Sequence, residues 1–190
     1  MNEPSAAAAT DSAPPPPFEL RDQRLVAAPL VRRMVAFMYE GVLLFGVLFT
    51  LNLVYYGFTK QTNATQTHTP LLVLTFFVLG TYFIYFWIRG GQTLAQKTWH
   101  LRVLTAQGHP MSPRRALARY MASWLWFLPP LMLISALGLA KSPWTVFGLL
   151  GAWVALYALS ALLHPRRQFW HDALCDTAVV YVRPAPLPVL

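Results

Sequence analysis

Four long apolar stretches dominate the chain, at about residues 34–56, 71–88, 121–140 and 144–163. A helix needs roughly 20 apolar residues to cross ~30 Å of hydrocarbon, and each stretch is close to that length. Buried helices of a soluble bundle would carry a polar face at helical period, and these stretches show none. The pattern predicts four membrane-spanning helices. Interruptions are few. Glu40 and Asn52 break the first stretch, the second holds no charge, and Pro129-Pro130 lies inside the third. Two adjacent prolines remove two backbone donors, so the third stretch reads as either a kinked span or a pair of half-helices.

The segments between the spans have their own pattern. Gly90-Gly91 ends the second helix, and Ser112-Pro113 supplies an N-cap followed by proline at the first helical position. The stretch PRRALARY then reads as an interfacial lead-in whose Arg115 and Arg119 face lipid phosphates. Leu101–Thr105 has strand character and precedes a Gln107-Gly108 turn, and Thr177–Val182 is the other β-rich stretch. These two are expected to pair on the cytoplasmic face. The fold class expected is therefore an all-α membrane protein, a four-helix transmembrane bundle with a small cytoplasmic β pairing. Residues 1–24 read as a disordered Ala/Pro-rich tail, 25–183 as the transmembrane domain and 184–190 as a C-terminal tail. In the fourth span, Gly148 with Ala152 and Gly151 with Ala155 form small-xxx-small pairs that allow close helix contact in a bundle or dimer.

Composition and charge agree with a membrane class. Of 190 residues, 56% are hydrophobic and only 12% charged, against about 25% charged in soluble domains. The single Cys175 excludes a disulfide scaffold. The N-terminal tail lacks the apolar core of a signal peptide. The formal charge of +8 is divided by position rather than gathered on one face, which points to phospholipid headgroups and not to nucleic acid. Thirteen Lys and Arg fall in the N-terminal region, the 89–120 loop and the C-terminal region, against Lys60 and Lys141 in the other two connections. Basic residues favour the cytoplasmic side, so both termini are expected there.

Glu40 is the most informative residue. It lies about 10 Å along the first helix from its start, and a charge at mid-membrane costs ~2.5–3.5 kcal/mol, less at this depth. An ion pair, an ion or proton site, and snorkelling to the interface all stay open. Arg33 is two turns away, so a partner from another segment is favoured. A second cluster, His171, Asp172, Cys175 and Asp176, would put ligands on one side of a helix. With one cysteine and no second His/Cys pair, it is read as no metal site. No phosphate-binding loop, HExxH or nucleophile elbow is present, so neither an enzyme nor a cofactor is expected.

Three of these stretches, in this order, resemble the RDD family of bacterial membrane proteins, named for an arginine and two aspartates. LVRRMVAFMYEGVLL is similar to its first-helix signature, GQTLAQKTWHLRVLTAQGHPMSPRRALARY to its cytoplasmic loop, and FWHDALCDTAVVYV to its closing motif. The resemblance covers about residues 27–183. It implies a charged triad in which Arg33 takes the arginine's place, Glu40 that of the first aspartate and Asp172 that of the second. Arg119, His171 and Asp176 are secondary candidates. Glu40 lengthens the reach of the usual aspartate, and Asp176 stands where a glycine is usual. The resemblance further implies a bacterial inner-membrane location and a transport role, with sodium–proton exchange proposed for some members. Two functions stand level: transport of a small ion or solute, aided by a second copy, and a non-transporting membrane subunit that docks a partner through its cytoplasmic loop.

Overall fold

The computed structural model describes residues 27–59, 68–140 and 142–182. The expected tails 1–24 and 184–190, with Lys60, Lys141 and Arg183, lie outside the described residues. Helix α1 spans Leu30–Thr59, α2 His68–Arg89 and the short α3 Leu94–Thr98. Strand β1, Leu101–Thr105, follows. Helix α4 covers Pro113–Ser123, α5 Leu128–Ala136 and α6 Pro143–Ser160. The short α7, Trp170–Leu174, leads into β2, Thr177–Tyr181.

Four helical stretches are long and apolar enough to cross a membrane: Leu30–Thr59, Thr69–Arg89, Pro113–Ala136 and Pro143–Ser160. This is a multi-pass membrane fold. The burial pattern is inverted relative to a soluble bundle. The fully buried residues of α1 are Arg33, Ala36 and Glu40, one stripe at i, i+3 and i+7. Its large apolar side chains, among them Val42, Phe45 and Phe49, face outward. Such a face is stable only where the surrounding solvent is itself apolar.

The third span begins earlier than the apolar run suggested, because PRRALARY is its first two turns rather than an interfacial lead-in. Ser112 accepts a hydrogen bond from the Arg115 amide and Pro113 occupies the first turn. The helix is broken by a 3₁₀ turn at Trp124–Trp126, and α5 restarts with Pro129 and Pro130 in its first turn. Prolines are tolerated there because first-turn amides have no intrahelical acceptor. The span is thus one helix interrupted and restarted. Tyr120 packs this span onto α2: its hydroxyl donates to the Phe76 carbonyl at 2.6 Å, and a Cβ at Gly80 would sit 3.0 Å from its ring.

Strands β1 and β2 pair antiparallel with Val103 opposite Val179, and Ala27 bridges to Val180. The Gln107-Gly108 turn has Gly108 at φ +85°. The core sits at this strand end of the molecule. Trp87, Leu101, Val103, Ala116, Tyr120 and Val179 form one buried cluster, and Trp126, Tyr157, Ala161 and Phe169 a second beside it. The small-residue pairs of α6 make no close contact within the described chain, since nothing lies within 4 Å of a Cβ at Gly148 or Gly151.

Candidate functional site

The charged residues singled out above converge on the strand end of the bundle, but as two clusters rather than one triad. In the first, Glu40 reaches hydroxyls and no cation. Tyr82 of α2 donates to Glu40 Oε1 at 2.5 Å, and the Thr93 hydroxyl donates to Oε2. Among the described residues Glu40 makes no ion pair. Thr93 is the N-cap of α3 in a capping box: its Oγ1 accepts from the Gln96 amide, and the Gln96 side chain accepts from the Thr93 amide at 3.0 Å. The same hydroxyl therefore fixes a loop helix and satisfies a carboxylate in α1.

The second cluster is built on Asp172, which is fully buried. Arg119 Nε donates to Asp172 Oδ1 at 2.9 Å, and its Nη2 lies 2.6 Å from the same oxygen. Arg119 does not face lipid phosphates, as the sequence suggested: it is buried, stacks 4.2 Å over the Trp87 ring and joins α4 to α7. Removing one partner of such a pair strands the other charge, at a cost of about 3–5 kcal/mol. His171 Nε2 is 3.3 Å from Asp172 Oδ1, and the Tyr157 hydroxyl is 3.1 Å from His171 Nδ1. Burial pushes the His171 imidazole down to about 4, against the pull of Asp172. A neutral ring explains both contacts: Nε2–H donates to Asp172, and Nδ1 accepts from Tyr157, whose oxygen accepts the His171 amide at 3.0 Å. Burial raises the Asp172 carboxyl, but Arg119, His171 and Arg33 together hold it below the ordinary carboxylate range.

Arg33 belongs with the second cluster, where its charge acts on Asp172. Its Nη2 donates to the Arg167 carbonyl at 2.7 Å, and its guanidinium stacks 4.3 Å over the Phe169 ring. Its Nε and Nη1 are buried without a hydrogen-bond partner. Asp176 lies apart, half-exposed, in a left-handed backbone at φ +52°, the conformation that favours the glycine usual there. Its carboxylate accepts from Gln107 at 2.9 Å and lies 3.7 Å from Arg115 and 3.8 Å from Arg166. Cys175 falls outside α7, and among the described residues no three His, Cys, Asp or Glu converge as a metal set.

Sequence reasoning missed Tyr82, Thr93 and Tyr157. Thr93 had a readable signal, the Thr-x-x-Gln capping box. Tyr82 lies in an aromatic run where nothing marks it from the exposed Tyr85.

A cavity of about 260 Å³ connects these residues, walled by α1, α2 and the α4–α5 span. Arg33, Glu40, Gln96, Arg119 and His171 contribute its polar wall, and Phe83, Trp87, Trp124, Trp126 and Phe127 much of its apolar one. Comparison with curated proteins and with solved structures finds no match. The family model of the RDD family matches residues 27–176. That stretch holds all four spanning helices and both charge clusters, and this chain belongs to the RDD family.

Proposed function

We propose that this chain moves a small ion or solute across the bacterial inner membrane, with both termini cytoplasmic, and that cation–proton exchange centred on Glu40 is the form of transport its geometry favours. One observation carries this reading: a carboxylate inside a spanning helix is held by two hydroxyls, has no cation beside it among the described residues, and lines a cavity. A structural ion pair would need a guanidinium or ammonium where Tyr82 and Thr93 stand. Hydroxyl partners serve the acid in either protonation state, since each can donate or accept. Intramembrane carboxylates with this freedom mark ion and proton paths. A path for flux across the whole bilayer would draw on a second copy of the chain.

The test is proton movement in proteoliposomes driven by sodium, potassium or lithium gradients, comparing the native chain with Glu40→Gln. Flux in the native protein, lost in a variant that keeps the native unfolding temperature, is the expected result. Absence of native flux under all three gradients would remove the exchange reading.

A second reading has its own support. The Arg119–Asp172–His171 cluster is separate from Glu40 and ties α4 to α7, as in a non-transporting membrane subunit whose cytoplasmic loop is held rigid to dock a partner.

A further inference from the structure

The donors around the cavity exceed their acceptors. Arg33 is 5% exposed, yet its Nε and Nη1 have no partner, and the indole nitrogen of Trp87 is likewise buried and unpaired. Both side chains line the same cavity. Buried donors left unpaired are costly, so three around one cavity call for an acceptor-rich guest. The charges agree. Two guanidiniums, Arg33 and Arg119, act on the single carboxylate of Asp172, and His171 beside it is neutral. One positive charge is therefore in excess among Arg33, Arg119 and Asp172. Glu40 lies two helical turns from Arg33, about 10 Å along α1, and its two oxygens are taken by Tyr82 and Thr93.

The cavity is also polar at one end and apolar at the other. Arg33, Arg119 and His171 lie at the strand end, whereas Leu44, Leu79 and Phe127 wall it deeper in the bundle. Arg33 to Leu44 covers about 16 Å of helix. At about 260 Å³ it falls near the lower end of small-molecule sites, which run ~300–1,000 Å³, room for one chain and too little for a two-chain phospholipid.

We propose that this cavity binds a single-chain amphiphile whose anionic head, a carboxylate or a phosphate monoester, sits on Arg33 with its tail running toward Leu44 and Phe127. The head accepts from the free guanidinium nitrogens in a charge-assisted contact, and the tail meets the aromatic wall. The site stands whether or not the chain transports, because it depends on Arg33 and not on proton release from Glu40.

Three tryptophans on the wall provide the readout, since bromine quenches indole fluorescence at contact range. The full chain in phosphatidylcholine nanodiscs is titrated with a dibrominated dodecyl chain bearing a carboxylate, a phosphate monoester or an uncharged methyl ester. Saturable quenching by either anionic form, absent with the ester, is expected, and the stronger of the two identifies the head. Arg33→Gln should weaken it about tenfold, as loss of a charge-assisted hydrogen bond does. Gly41→Leu should abolish it, because nothing lies within 4 Å of a Cβ at Gly41, which lines the cavity, and the added side chain fills that space. Equal quenching by the ester, or saturable quenching that Gly41→Leu leaves unchanged, overturns the proposal. Should Arg33→Gln fail to fold, the ester and Gly41→Leu decide it alone.

Discussion

His171 shows how one buried side chain sets a pH limit on the whole fold. Its ring is neutral because burial outweighs the attraction of Asp172, and its proton affinity falls from an ordinary 6.5 to about 4. An unfolded chain takes up that proton below pH 6.5 while the folded one refuses it until about 4. Proton uptake thus favours the unfolded state, and stability present above 6.5 is lost as the pH falls through this window. The full effect is on the order of 3 kcal/mol. Asp172, held below the ordinary range, adds a further loss as the pH falls through its own lowered value. Thermal unfolding in detergent should show the decline between pH 6.5 and 4, and His171→Gln should flatten it while still reaching Asp172. A variant with the native slope would place the titrating group elsewhere. The sequence marked His171, Asp172 and Arg119 individually but not their pairing. Arg119 and Asp172 are 53 positions apart, and no local periodicity reports a contact of that range.

Elements carry their own instructions more openly. The four spans were legible because each must present some 20 apolar residues to lipid, a constraint with no soluble counterpart. The β pairing was legible because its two strands are the β-rich runs outside the spans, whereas its register, Val103 opposite Val179, was not, because burial along β1 does not alternate. The start of the third span was not legible, because Arg114, Arg115 and Arg119 make its first turns look like an interfacial lead-in facing lipid phosphates, while the helix buries Ala116, Arg119 and Tyr120 on its inner face. The turn leaving α2 depends on one glycine. Gly91 has φ +68°, its carbonyl accepts from the Val103 amide at 2.7 Å, and a Cβ there would meet the Val103 oxygen at 2.7 Å. Gly91→Ala should therefore lower stability by ~1–3 kcal/mol. Its neighbour Gly90 has open space around a Cβ, and Gly90→Ala should stay within ~0.5 kcal/mol. Equal effects at the two positions would show that the turn does not govern how β1 docks.

At the scale of the molecule, the proposed orientation rests on where the basic residues lie, thirteen against two across alternate connections. In a Cys175→Ser background, a membrane-impermeant thiol reagent applied to intact cells should label Leu139→Cys and reach Arg114→Cys only after permeabilisation. The reverse pattern would invert the topology and place the cavity mouth on the opposite face. The fold also has a temporal order. Glu40 enters the membrane with α1, but its two hydroxyl partners arrive 42 and 53 residues later. Arg33 waits still longer, for the Arg167 carbonyl 134 positions downstream. During synthesis the first helix must be accepted on the strength of its outward-facing Leu, Phe and Val side chains alone, each worth about 0.3–0.6 kcal/mol toward insertion. Those lipid-facing residues, largely exposed in the finished bundle, are thus what delivers the buried charges to the place where their partners later assemble around them.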